Sequence, residues 1–204
     1  MNVLVADPEI SERLIAERKV RGLDRFDEVW EGVYFMPPMA NNEHQGLATR
    51  MGGVLQFVVR WPDEGTVYVG VNVSDREAGW EHNYRVPDVA VFLVGNNARD
   101  CGTHWCGGPD WGSEILSPKD RSRDKLEFYA LIGVRELLLI DRDPWQLELY
   151  LNLEGQLVLQ GISSLDDPQM LASAVLPLTF SLVPGAGRPL VRIARADGSE
   201  VWHV

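Results

Sequence analysis

Apolar and polar positions change period several times along the chain, and each change marks an element. Ile10, Leu14 and Val20 recur at rough helical spacing behind Asp7-Pro8-Glu9, which predicts a short amphipathic helix over 7–20. Residues 27–36 alternate around Glu31-Gly32 and predict a hairpin closed by Pro37-Pro38. Leu47, Met51, Val54, Leu55 and Val58 follow Asn41-Asn42-Glu43-His44, the pattern of an asparagine-capped helix that Pro62 ends. Gly52 and Gly53 inside it cost roughly 1 kcal/mol each against alanine. A close helix–sheet contact would explain them.

Residues 66–73 and 86–94 read as strands joined by a polar loop. Residues 95–112 are rich in glycine, asparagine and tryptophan and predict a long irregular segment, a kind often functional or mobile. A strand over 113–117 then meets Ser117-Pro118-Lys119-Asp120. A capping serine, a proline at the first helical position and an acid at the third predict a helix over about 118–132, ended by Gly133. Residues 136–140 read as a buried strand, 146–160 as a hairpin turning at Glu154-Gly155, and the C-terminal 40 residues add one or two strands. This order implies the α+β (α/β) class, a mixed β-sheet flanked by helices.

Composition narrows the picture. A chain of 204 residues is expected to form one domain, 1–204, with a sizeable core. Hydrophobic content of 45% and charged content of 24% are ordinary for a soluble globular protein. No apolar run approaches the ~20 residues that span a bilayer. The start lacks a basic segment followed by an apolar one, so no secretory signal is expected and a cytoplasmic location follows by default. The net charge of −11 argues against general, charge-driven nucleic-acid binding. A local basic strip remains, Lys119, Arg121, Arg123 and Lys125, which reads equally as a solvated helix face. Cys101, His104 and Cys106 could offer zinc three ligands, with His82 or His44 as a remote fourth. A loop holding two reduced thiols is the expectation in a cytosolic protein.

The candidate chemistry lies in two strands and a helix. Glu114 stands in an apolar strand, where a carboxylate is costly unless paired or metal-bound. Asp88 follows Pro87 at the start of another strand and reads either as a turn residue or as a second acid. Magnesium prefers oxygen ligands and keeps several waters. Asp88, Glu114 and the Ile115 carbonyl could therefore hold Mg2+ or Mn2+ if their strands are neighbours. Such an ion activates a water and polarises a phosphate. Lys125 would orient the nucleophile and offset the charge that develops; otherwise it is a surface lysine with an acidic partner. Glu43 and His44 are candidate accessory acids, bases or phosphate contacts. Tyr129, one turn after Lys125, packs or positions the lysine, and Arg121 shares the Lys125 face as a phosphate contact. These are the parts of a metal-dependent phosphodiesterase.

Several segments together resemble the Uma-two family of restriction-endonuclease-like proteins, placed in the PD-(D/E)XK nuclease superfamily. They are the Glu31-Gly32 hairpin with Met36-Pro37-Pro38, Glu43-His44-Gln45, Val86-Pro87-Asp88-Val89-Ala90-Val91, Glu114-Ile115-Leu116-Ser117-Pro118, Asp124-Lys125 with Tyr129, and the run Gly133 to Asp141. The resemblance covers about residues 25–185, with a helix before it and strands after it. It implies a restriction-endonuclease-like core and maps the acids onto Asp88 and Glu114. Leu116 stands where the superfamily has its lysine, and the family pattern moves that lysine to Lys125. Pro109-Asp110-Trp111-Gly112-Ser113 and the loop at 101–112 depart from the pattern.

Two functions follow, from different classes. One is a divalent-metal-dependent endonuclease acting on DNA. The other is a nuclease-like binding or regulatory module with little hydrolysis, since a fold does not guarantee its usual activity. A two-fold homodimer is the assembly expected of a nuclease that cuts both strands.

Overall fold

The computed structural model describes residues 3–37, 40–117 and 121–204. The first helix, Pro8–Arg21, is capped by the Asp7 side chain, which accepts from the Ile10 amide at 3.0 Å, and ends at Gly22 in the left-handed region. It is not amphipathic in the expected sense. Its single buried residue is Ser11, while Ile10 and Val20 face outward. Charge pairing anchors it instead: Arg18 donates through Nε and Nη2 to the buried Asp27 carboxylate at 2.5 and 2.8 Å.

The hairpin runs Glu28–Trp30 and Val33–Met36. Glu31 and Gly32 at its tip both have positive φ, as a two-residue turn of matching twist requires. The hairpin joins Val3–Val5, Tyr84–Arg85, Val73–Ser74, Trp105–Cys106 and Arg99–Asp100 in a sheet of seven short strands among the described residues. Segment 95–112 is therefore less irregular than its composition suggests. Its strands are two residues long, too short to show alternation, and Trp105–Cys106 is held by parallel pairing to Val73–Ser74.

The central sheet has six strands in the order Gln156–Ser164, Trp145–Leu153, Glu136–Arg142, Trp111–Ile115, Val89–Leu93, Gly65–Val69. Trp111–Ile115 lies inside it, antiparallel to Val89–Leu93 and parallel to Glu136–Arg142. A parallel neighbour needs a crossover. The 3-10 turn Ser122–Lys125 and the helix Leu126–Leu131 supply it. This is shorter than the predicted helix over 118–132. Of the predicted cap, Pro118, Lys119 and Asp120 lie outside the described residues, and the Ser117 hydroxyl accepts from Arg142 Nη2 at 2.9 Å.

The second helix, Asn42–Leu55, is capped by Asn41 and continues as a π-helical turn, Gln56–Arg60. A Cβ on Gly52 would stand 2.6 Å from Val69 Cγ2, so the expected close contact exists there; Gly53 has open space around it. Leu47, Met51 and Leu55 pack on Val89, Val91, Ile115 and Ile140 of one sheet face. Ala90, Phe92, Leu137 and Leu139 of the other face pack on Phe128 and Tyr129. The C-terminal residues form four strands rather than one or two, Leu171–Ala172, Leu178–Val183, Leu190–Arg195 and Val201–His203, in a sheet of their own. Phe180, Leu182 and Ile193 from that sheet share the core of the helix-packed face.

Candidate active site

Alternation along Trp111–Ile115 sends Ile115 into the core with the second helix and Glu114 to the opposite face, toward the crossover. The antiparallel register pairs Trp111 with Val91, Gly112 with Ala90 and Ser113 with Val89. One step further along the two strands places Asp88 across from Glu114. Asp88 Oδ2 accepts from the Ile115 amide at 2.7 Å and lies 3.2 Å from His44 Nε2. The other His44 nitrogen, Nδ1, is buried and has no hydrogen-bond partner among the described residues.

Glu114 is only 3% exposed. Its Oε1 accepts from Lys125 Nζ at 3.0 Å and from the Tyr129 hydroxyl, and its Oε2 from Ser122 Oγ at 3.4 Å. Lys125 thus stands at the start of the crossover helix, where its buried amine meets the acid. Burial pushes the Glu114 carboxyl up to about 8; the Lys125 ammonium works against this, and the charges of Asp88 and Glu28 add to it. Burial also holds the Tyr129 phenol well above its ordinary value, which keeps it a donor to Glu114.

Glu28 was not foreseen. It comes from the N-terminal hairpin and is 3% exposed. Its Oε1 accepts from Lys125 Nζ at 2.8 Å and from the Val86 amide at 2.9 Å, and its Oε2 from the Trp30 indole at 2.7 Å. The available signal was an acid that shares a strand face with a tryptophan inside an alternating segment. Glu28, His44, Asp88, Glu114, Ile115 and Lys125 all line one cavity of about 100 Å³.

Two candidates have partners outside the acid cluster. Glu43 does not line the cavity; it pairs with Arg142 Nη1 at 2.9 Å, and Arg142 also holds the Leu116 carbonyl at 2.9 Å. Glu43 therefore braces the end of the acid strand. Arg121 is at the rim, paired with Asp124 at 2.6 Å and 5.4 Å from the Trp30 ring centre. It precedes the 3-10 turn, so it shares no helix face with Lys125. In the other cluster, Cys101 and Cys106 are free thiols, and both His104 ring nitrogens are engaged, by Thr103 Oγ1 and the Arg76 carbonyl at 3.0 Å each.

Among the described residues no three His, Cys, Asp or Glu side chains converge into a ready-made metal cage. Magnesium does not need one, since one or two carboxylates suffice beside its waters. Two carboxylates and a strand carbonyl are the hard oxygen donors it takes. Glu28, Asp88 and Glu114 line the cavity with Lys125 and Arg121, and the charges of Asp88 and Glu28 help to hold the proton on Glu114. By donor chemistry the residues fit a divalent cation.

Residues 19–184 match the model of the Uma2 family, described as "Putative restriction endonuclease". A crystal structure from Anabaena variabilis, described as a "putative nuclease", is similar at 22% identity over 72% of this chain and 80% of that one, with a TM-score of 0.56. At that identity the likeness speaks for the fold alone, which is restriction-endonuclease-like as expected. No curated protein matches. With its acid strands and crossover inside the matched segment, the chain belongs to the Uma2 family.

Proposed function

We propose that the protein is a divalent-cation-dependent endonuclease that hydrolyses phosphodiester bonds of DNA. The observation that carries this reading is the Lys125 ammonium, 3.0 Å from a buried Glu114 in a cavity that Asp88 also lines. Asp88, Glu114 and the Ile115 carbonyl are the residues that would hold Mg2+ or Mn2+. The ion, when bound, activates a water and polarises the scissile phosphate.

The chain's own groups do the rest. The Ile115 amide fixes the Asp88 carboxylate from one side and His44 from another. Tyr129 and Ser122 fix Glu114. Lys125 donates toward the attacking water and toward the charge that develops on the phosphate, the task Leu116 cannot perform. Packing around Glu114 excludes bulk water, which strengthens each of these interactions. A two-fold dimer would bring two such cavities to the two strands of a duplex.

The test is cleavage of supercoiled plasmid with magnesium or manganese, wild type against Glu114→Ala. Nicked and linear DNA from wild type, with none from the variant, is the expected result. Equal cleavage by both refutes the assignment. The net charge of −11 favours a second reading, a nuclease-like module that binds a partner without hydrolysis. Intact plasmid in both reactions would favour it.

A further inference from the structure

Among the described residues Lys125 has two buried acidic partners, Glu28 and Glu114, and the proposed reaction uses only Glu114. We propose that Glu28 is a positioning residue that holds the Lys125 amine in place for hydrolysis, an inference that rests on the nuclease reading above.

The geometry separates the two carboxylates by task. Glu114 Oε1 is shared between Lys125 and Tyr129 and belongs to an acid that would also serve a cation. A divalent ion competes with Lys125 for those lone pairs. An amine tied to Glu114 alone would lose its anchor when the ion binds. Glu28 is committed elsewhere. Its Oε1 is held by the Val86 amide and its Oε2 by the Trp30 indole, so the carboxylate presents a fixed oxygen to Lys125 at 2.8 Å.

A merely structural role explains the arrangement poorly. Glu114 already gives the amine one buried acidic partner. A second buried acid adds desolvation cost and like-charge repulsion, and apolar side chains of similar volume usually serve stability better. A fixed second anchor costs stability and yields a fixed amine. Misplacing a reacting group by about 1 Å can cost on the order of 10²-fold in rate.

The experiment compares full-length wild type with Glu28→Gln and Trp30→Phe. The first removes the anchoring charge. The second removes only the indole donor, and it carries the test if Glu28→Gln fails to fold. Three readouts are taken: competitive acetylation of Lys125 by acetic anhydride in EDTA, traced by mass spectrometry; the rise in melting temperature with manganese; and steady-state cleavage. For Glu28→Gln the labelling of Lys125 should rise about tenfold and kcat should fall roughly 10–100-fold, the scale of a misplaced catalytic group. KM should stay within about twofold, since the residue acts on a group used in the transition state. The manganese shift should be kept, because Glu28 is not a ligand. Trp30→Phe should move labelling and kcat together by smaller factors. Unchanged labelling, or raised labelling with unchanged kcat, overturns the proposal. Loss of the manganese shift overturns it too, by making Glu28 part of the cation site. If wild type cleaves nothing, the nuclease reading falls, and labelling alone decides whether Glu28 holds the lysine.

Discussion

Glu114→Gln removes a carboxyl that burial has pushed up to about 8 from an ordinary value of 4.5. Between those pH values the folded protein keeps a proton that the unfolded chain has released. Stability therefore falls as pH rises through this window, with a slope of about 1.4 kcal/mol per pH unit. In a protein of this size about 1 kcal/mol moves the melting temperature by 2–4 °C. The wild-type curve should thus lose roughly 3–6 °C per pH unit relative to Glu114→Gln between about pH 5 and 8. Glu136, which burial also raises, titrates in both proteins and cancels in the difference. The assay is thermal denaturation of both proteins in EDTA at half-unit pH steps. Millimolar manganese should flatten the wild-type slope, because the ion stabilises the carboxylate by mass action. It should raise the melting temperature of wild type but not of Asp88→Asn/Glu114→Gln. Parallel wild-type and Glu114→Gln curves in EDTA would refute the argument, and an equal manganese shift in the double variant would place the ion elsewhere.

Three further outcomes are expected. Lys125→Ala should abolish plasmid cleavage while the manganese-induced melting shift largely persists, whereas Arg121→Ala should mainly raise KM; full cleavage by Lys125→Ala would remove the lysine from the mechanism. Gly52→Ala should destabilise by about 1–3 kcal/mol in urea titration, because its methyl would press on Val69, whereas Gly53→Ala, in open space, should be neutral or stabilising by up to about 1 kcal/mol. Cys101→Ser/Cys106→Ser should leave the melting temperature nearly unchanged, and stoichiometric zinc in protein purified without chelator, absent from the variant, would contradict this.

What the chain displays in advance depends on how local the cause is. Glu114 declares itself because a carboxylate in a short apolar run conflicts with its neighbours, and Asp88 because it opens a strand of the same kind. Lys125 and Tyr129 are four residues apart, a spacing that a single turn turns into proximity. Glu28 is invisible to such reasoning, since its partner lies 97 residues away and pairing at that separation leaves no periodic mark. The first helix misleads for a related cause: three apolar residues at helical spacing suggest an apolar stripe, yet the helix is held by Arg18 on Asp27. Segment 95–112 and the outer C-terminal strands, Leu171–Ala172 and Val201–His203, escape because strands of two or three residues are too short to alternate. Such strands exist through their partners and not through their own pattern.

The 97-residue separation of Glu28 and Lys125 also bears on the order in which the molecule assembles. The central sheet and its crossover draw on neighbours close in sequence: Lys125 meets Glu114 across 11 residues and Tyr129 meets it across 15. Closing the loop to Glu28 carries a larger entropic cost and brings the hairpin's sheet to the central one. On loop-closure grounds the contact with Glu114 is expected to form before the contact with Glu28. A folding chain that halts before docking would have both proposed metal carboxylates and the lysine but not the Glu28 contact, and by the proposal above it would hydrolyse slowly while counting as nearly native by secondary structure.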